Sequence, residues 1–260
     1  MDMVNRVLEG DCTKLLKILP SESVDLVVTD PPYFVRYRDR AGRTIANDVD
    51  PASVLDAFTD VYRVLKPNTF CISFYGWNRV DAFFRAWRRA GFHPVGHLVW
   101  HKDYASSTGF LRARHEQAYL LAKGRPDRPA ESLDDVRRWK YTGNVRHPTE
   151  KDVSILQPLV EAFSKPGDLV LDPFAGSGST LVAAAQAGRR YLGIELERKY
   201  CELIRERLAP FSDPEIQGDE VDGSTLSGEV AYQKLCQWLR ERNHHGLAET
   251  VRQAMSRHPS

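Results

Sequence analysis

DLVLDPFAGSGSTLVAAAQAGRRYLGIELERKY, residues 168–200, carries a strand, a turn, a helix and a second strand in one stretch. Leu169-Val170-Leu171 is a short apolar run of the kind that forms a fully buried strand. Asp172-Pro173-Phe174 breaks the run, and Ala175-Gly176-Ser177-Gly178-Ser179 follows as a turn of small residues. Thr180 to Ala187 has alanine-rich helix composition, and Gly188 sits where a helix often needs a left-handed residue to stop. Tyr191-Leu192-Gly193-Ile194 reads as a second buried strand, ending in Glu195. Strand, glycine turn, helix, strand and acid, in that order, make the first unit of a nucleoside-binding α/β fold. The glycines let a ligand approach the backbone, and an acid at a strand end can hold ribose hydroxyls.

The turn differs from two better-known ones. The third glycine of the dinucleotide fingerprint is absent, since Leu181 stands there, and no Gly-Lys-Ser/Thr follows as in a phosphate-gripping loop. A turn without lysine, preceded by the carboxylate of Asp172, suits a cationic and phosphate-free nucleoside. S-adenosylmethionine, a sulfonium amino acid joined to adenosine, fits. Taken alone, the same residues would also make a tight strand–helix turn that binds nothing.

A chain of 260 residues holds one large α/β domain and a small appendage. Its net charge of +1 argues against a uniformly basic nucleic-acid coat, though not against a local basic face. Cys12, Cys71, Cys201 and Cys236 are widely spaced, which suits reduced residues of a cytosolic protein and implies no zinc site. No apolar segment reaches membrane-spanning length, and MDMVNRVLEGD lacks a signal-peptide pattern, so no membrane partner is expected.

Upstream, Arg6 to Asp11 reads as a short strand ending at an acid, and Thr13 to Leu19 as a helix stopped by Pro20. Val24-Asp25-Leu26-Val27-Val28-Thr29 is a strong strand, and it runs into Asp30-Pro31-Pro32-Tyr33. Two prolines stiffen that turn and leave its carbonyls free to accept hydrogen bonds. Open α/β sheets carry their chemistry at such strand ends. A carboxylate, a fixed carbonyl and an aromatic plate suit a planar base with an exocyclic amine. A proline turn with a solvated Asp and a packed Tyr is the plainer reading of the same four residues.

Together these residues resemble a known family, the DNA amino-methyltransferases of the permuted "beta" arrangement, in which the catalytic motif precedes the cofactor motif. Asp30-Pro31-Pro32-Tyr33 is similar to the family's catalytic tetrapeptide, and Asp172-Pro173-Phe174-Ala175-Gly176-Ser177-Gly178 to its cofactor motif. His147-Pro148-Thr149-Glu150-Lys151 is similar to the segment that helps hold the methionine end of the cofactor. The match covers roughly residues 4–208, with Asp152 standing where the family usually has proline. The resemblance implies a Rossmann-like, circularly permuted α/β fold. Its sheet is doubly wound, mostly parallel and seven-stranded, with an antiparallel edge pair.

The resemblance also implies the site. Asp30, Pro31, Pro32 and Tyr33 would be catalytic. Cofactor contacts would come from Asp11, Cys12, Asp30, His147, Thr149, Lys151, Glu195 and Leu196. The turn itself would add Asp172, Pro173, Phe174, Ala175, Gly176, Ser177, Gly178, Ser179 and Thr180. The cofactor is S-adenosyl-L-methionine, with no metal. The partner is double-stranded DNA, and Asp rather than Ser at position 30 favours adenine N6 as the target. Cytosine N4 is the alternative, and a non-catalytic cofactor- or DNA-binding protein on the same scaffold is the alternative of another class. The setting implied is cytoplasmic and nucleoid-associated, in a prokaryote, phage or plasmid. A homodimer and a cognate restriction enzyme are left open.

The remaining stretches fill in the architecture. Helices are expected over Ala52–Leu65, Val80–Ala90, 152–165 and Lys199–Leu208. Lys66-Pro67-Asn68 reads as a turn before a buried strand at Thr69–Phe74, and Val95–Trp100 and Gln117–Ala122 as the antiparallel edge pair. Trp77 and Trp100 read as core or pocket walls. Residues 34–50 and 123–146 are expected DNA-contacting loops, through Arg36, Tyr37, Arg38, Arg40 and Arg43 in the first and Arg137, Arg138 and Lys140 in the second. Residues 101–116 read as a further basic loop. The expected organisation is a catalytic domain over 1–210, an acidic linker over 211–229 and a small helical tail over 230–260. His244-His245 reads as a polar loop and not a metal site.

Overall fold

The computed structural model describes residues 4–33, 51–143, 146–147 and 150–211, all within the compact unit Val4–Ser212. The expected contacts at Arg36, Tyr37, Arg38, Arg40, Arg43 and Thr149, and the linker and tail beyond residue 211, lie outside the described residues.

The chain alternates strands and helices: β1 (Arg6–Glu9), α1 (Cys12–Ile18), β2 (Val24–Thr29), α2 (Pro51–Val64), β3 (Leu65–Phe74), α3 (Val80–Ala90) and β4 (His93–His101). A small hairpin, β5 (Ser107–Thr108) and β6 (Arg112–Ala113), precedes β7 (His115–Lys123) and β8 (Val136–Arg138). Then come α4 (Val153–Phe163), β9 (Leu169–Asp172), α5 (Ser179–Gln186), β10 (Arg190–Glu195) and α6 (Arg198–Leu208). The main sheet runs β1-β10-β9-β2-β3-β7-β4-β8. The first five of these strands are parallel, and β7 is antiparallel to both β3 and β4.

Burial on both faces explains why the central strands are continuous apolar runs. Leu26 and Val28 of β2 and Ile72 and Phe74 of β3 pack with Leu156 and Val160 of α4 and Leu181 and Ala184 of α5. Helices α1, α2 and α3 form a second group, joined by contacts such as the edge-on Phe58–Trp87 pair at 6.1 Å. The doubly wound, mostly parallel α/β class expected from the sequence is the one found.

Several local expectations need correction. The main sheet has eight strands and not seven, because β8 pairs in parallel with the outer edge of β4. Three residues in an otherwise polar stretch carry no strand signal of their own; the β4 edge supplies their pairing. The antiparallel pair β4–β7 therefore lies inside the sheet. Lys66-Pro67-Asn68 is no separate turn but a bulge within β3. There the pairing to β2 jumps from Val24↔Leu65 to Leu26↔Phe70, with Asn68 at φ 60°. Residues 101–116 are a hairpin arm rather than a loop. Trp100 is buried and stacked on Phe74, as expected of a core residue, whereas Trp77 is 70% exposed.

Candidate active site

The site depends on one pairing. β9 lies beside β2, with Leu26 opposite Val170 and Val27 opposite Leu171, although the strands are far apart in sequence. Their carboxyl ends, Asp172 and Asp30, thus face the same edge of the sheet. β9 has β10 on its other side, and β10 has β1 beyond it. The chain crosses from one half of the sheet to the other between β9 and β2, the kind of crevice in which open α/β sheets bind ligands.

The glycine turn is held from several sides. Gly178 caps α5 at φ 78°, and a side chain there would put its Cβ 2.8 Å from Ile204. Gly176 is also left-handed, at φ 54°, with the His147 ring 3.5 Å from where a Cβ would stand. The Gly176 N–H donates to Glu195 Oε2 at 2.8 Å, and the Glu197 N–H to Oε1 at 2.8 Å. Each oxygen keeps a second lone pair for an incoming hydroxyl. Burial raises the Glu195 pKa above its ordinary value. Asp172 accepts from the Phe174 N–H at 3.1 Å, and burial foremost pushes its pKa up to about 7, with the nearby Asp30 charge also raising it.

On the β1 side, Glu9 pairs with Glu195, and the Gly10 N–H donates to the Glu195 carbonyl at 2.8 Å. This brings Asp11 and Cys12 beside the end of β10. Asp11 is the N-cap of α1, accepting from the Thr13 N–H at 2.9 Å and its hydroxyl at 2.8 Å. Cys12 is buried, and burial pushes its thiol up to about 12. Leu196 is 42% exposed beside Glu195. Of the turn residues, Asp172, Ala175, Ser177, Ser179 and Thr180 are buried, and Phe174 is half-buried.

On the β2 side, the Tyr33 hydroxyl donates to Asp30 Oδ1 at 2.7 Å, and Lys151 Nζ pairs with Oδ2. Burial, then the Asp30 charge, raises the Tyr33 hydroxyl well above its ordinary value. Tyr33 rests against Gly76, where an added Cβ would stand 2.9 Å from the tyrosine Cβ. Lys151 is itself buried, with its ammonium 4.4 Å from the Phe74 ring centre.

The segment carrying Lys151 is fixed by contacts of its own residues and of those flanking it. Buried Glu150 accepts from the Arg146 N–H at 3.2 Å and from its guanidinium at 3.0 Å. The His147 ring packs edge-on to Tyr200 at 4.5 Å. Asp152 caps α4, accepting from the Ser154 N–H at 2.9 Å, and its φ of −67° is the angle a proline would impose. The proline-like entry into the helix is kept, and a capping bond is added.

The structure therefore brings Asp11, Cys12, Asp30, Tyr33, His147, Lys151, the 172–180 turn, Glu195 and Leu196 to one sheet edge. Arg137, Arg138 and Lys140 line a cavity with Trp100 and the first turn of α4, beside the segment that carries Lys151. The first two belong to β8, and Lys140 stands 3.5 Å from Asp152. Sequence reading misses the Lys151–Asp30 pair, which joins residues 121 positions apart, and the exposed Trp77 just beyond β3.

Known proteins are similar to this chain in sequence and in fold. YubD of Escherichia coli (strain K12) is 54% identical over 206 residues, spanning 79% of this chain and 91% of the relative. TTHA0409 of Thermus thermophilus, solved in complex with S-adenosyl-L-methionine, is 26% identical with a TM-score of 0.62, over 80% of this chain and 96% of that one. The PvuII DNA methyltransferase, described as cytosine-N4-specific, shares the fold at 18% identity and a TM-score of 0.61, over 81% of this chain and 87% of that one. The profile of the N6_N4_Mtase family, described as DNA methylase, matches residues 24–206. The chain belongs to that family, whose cofactor is S-adenosyl-L-methionine.

The residues present fit this cofactor. The lysine-free turn and the acceptors of Glu195, Asp11, Asp172 and Asp30 suit a cationic nucleoside with free hydroxyls. The Lys151 ammonium, paired with Asp30, would be a partner for its carboxylate. Among the described residues no cluster could hold a metal ion, and no helix is long and apolar enough to cross a membrane.

Proposed function

We propose that this DNA methyltransferase modifies the N6 amino group of adenine in double-stranded DNA, with Asp30, Pro31, Pro32 and Tyr33 as the catalytic turn. The observation that carries the proposal is the meeting of two strand ends, Asp30 on β2 and the glycine turn on β9, at one crevice. Bound S-adenosyl-L-methionine supplies an activated methyl on a sulfonium. Glu195 accepts the ribose hydroxyls, Asp11, Cys12 and Leu196 border the adenine ring, and His147 and Lys151 lie toward the methionine end.

The target base leaves the duplex and stacks beside Tyr33. Its amino lone pair is delocalised into the ring, so the nitrogen is a poor nucleophile. Asp30 and the Pro31 carbonyl accept its two N–H bonds, which favours a pyramidal nitrogen with a localised lone pair. The carboxylate then faces the positive charge that develops on that nitrogen, where water is excluded. Tyr33 and Lys151 already hold both oxygens of Asp30 in place, and each oxygen retains a further lone pair. Arg137, Arg138 and Lys140, on the surface of the molecule, would contact the DNA backbone.

Methylation-free DNA incubated with the chain and methyl-labelled cofactor, then digested to nucleosides, tests this reading. Label in N6-methyladenine supports it. Label in N4-methylcytosine alone would move the assignment to the other branch of the family, and no label in DNA would leave a cofactor- or DNA-binding protein.

A further inference from the structure

The hairpin arm between β4 and β7 has no role in the site just described, yet it rises from the same edge. β7 is antiparallel to β3, pairing Phe74 with Ala118, so Gln117, Glu116 and His115 continue past the end of β3 toward the site. The Gln117 amide donates to the Tyr75 carbonyl at 3.1 Å, and the Glu116 charge is one of the causes raising the Tyr33 hydroxyl. β7 is two strand spacings from β2, so the arm is rooted about 10 Å from the strand that carries Asp30.

The root is well anchored. Buried Lys102 pairs with Glu116 and stands 5.3 Å from the Trp139 ring centre. The Lys102 N–H donates to the Arg114 carbonyl at 2.8 Å, and the Arg114 side chain donates back to the carbonyls of Lys102 and Asp103, each at 3.2 Å. Beyond this the strands pair Ser107 with Ala113 and Thr108 with Arg112, and the Gly109 N–H closes the tip on the Leu111 carbonyl at 3.1 Å. At the tip Phe110 and Leu111 are 109% and 84% exposed.

A single exposed apolar residue needs no explanation. Two adjacent ones at the end of a braced arm, beside exposed Arg112, do. An apolar point on a cationic stem matches an object with anionic walls and a stacked apolar interior, which is duplex DNA. Side chains such as Phe and Leu enter base steps in this way and unstack them. A base taken out of the helix also leaves a gap that must be filled or collapse.

We propose that Phe110 and Leu111 form a wedge that inserts into the duplex beside the target base and occupies the space it vacates. The inference rests on the reading that this chain methylates a base extruded from duplex DNA. Arg112 guides the tip across the phosphates, and the Lys102–Glu116 pair fixes the arm's angle.

The test uses the double variant F110A/L111A in the full chain. Its substrate is an oligonucleotide duplex bearing the site that the wild-type chain modifies in a methylation-free host. One version has the target base paired; a second has it opposite an abasic position, where no partner has to be displaced. Methyl transfer to the paired duplex should fall roughly tenfold or more and transfer to the unpaired version by less than about twofold. Circular dichroism and cofactor affinity should be unchanged, since both side chains are largely exposed. An equal loss on both duplexes, or no loss on either, overturns the wedge. Unchanged transfer with altered sedimentation would assign the tip to a second copy of the chain and overturn it too. Absence of transfer by the wild-type chain to either duplex would refute the function reading itself, and the wedge with it.

Discussion

Asp172 shows most clearly how burial becomes a measurable property of one residue. Its carboxyl is pushed up to about 7, so between the ordinary carboxylate range and neutrality the folded chain holds a proton that the unfolded chain has released. The stability linked to that proton is present below about pH 4 and is lost as pH rises to about 7, amounting to a few kcal/mol at most. Asp172→Asn removes the charge while its amide oxygen can still accept from Phe174. The variant's thermal midpoint should exceed that of the wild-type chain at pH 8 and lie close to it at pH 4. A difference that is the same at both pH values would mean the carboxyl titrates normally.

Gly76 offers a second test at this scale. Its backbone angles suit any residue, so a substitution is felt through its neighbours, first Tyr33 and then the Asn78 side-chain oxygen at 3.2 Å. Gly76→Ala should displace the Tyr33 ring and lower methyl transfer about tenfold or more, since small misplacements at a reacting centre are costly. Cofactor affinity, measured by calorimetry, should remain within about twofold. These residue contacts are also where sequence reading stops. Asp30, Tyr33 and Lys151 are each legible as motif members, but the Lys151–Asp30 pair exists only because β2 and α4 meet in space.

Among the elements, the unit β9–turn–α5–β10 is readable almost residue by residue. Its apolar runs, small-residue turn and terminating glycine each have a local cause. Two of its glycines can be told apart by experiment. Gly188 has φ 70° with nothing within 4 Å of where a Cβ would stand, so Gly188→Ala meets only left-handed strain, about 1–2 kcal/mol. Gly178 has φ 78° and would also drive a Cβ into fully buried Ile204. Gly178→Ala should therefore lower the denaturation midpoint further than Gly188→Ala, by about 1–3 kcal/mol in stability. Equal losses would show that Ile204 can yield.

Elements without a local cause are the ones that the sequence hides. β8 is a strand because β4 offers it an edge, and the β5–β6 arm is a hairpin because Lys102 and Arg114 tie its root. Neither signal is periodic. Composition places Trp77 inward, yet it follows the end of β3, where the backbone leaves the sheet.

For the whole molecule, the order of motifs along the chain and their order in space are different facts. The proposed catalytic turn comes first in sequence and the proposed cofactor turn last, with about half of the chain between them. The sheet order brings them together by placing β9 next to β2. That permutation is available from the sequence only through resemblance, since apolar runs do not state which strands are neighbours. Fold class follows from the alternation of strands and helices, whereas strand number depends on the three-residue edge.

The most direct test of the account is single-turnover methyl transfer to methylation-free duplex DNA by Asp30→Ala beside the wild-type chain, with cofactor affinity measured on both. The variant should bind S-adenosyl-L-methionine and lose transfer to adenine N6 by roughly 10²–10³ or more, the usual cost of removing one group aimed at developing charge. Undiminished transfer by Asp30→Ala would contradict the assignment of that strand end as the catalytic centre.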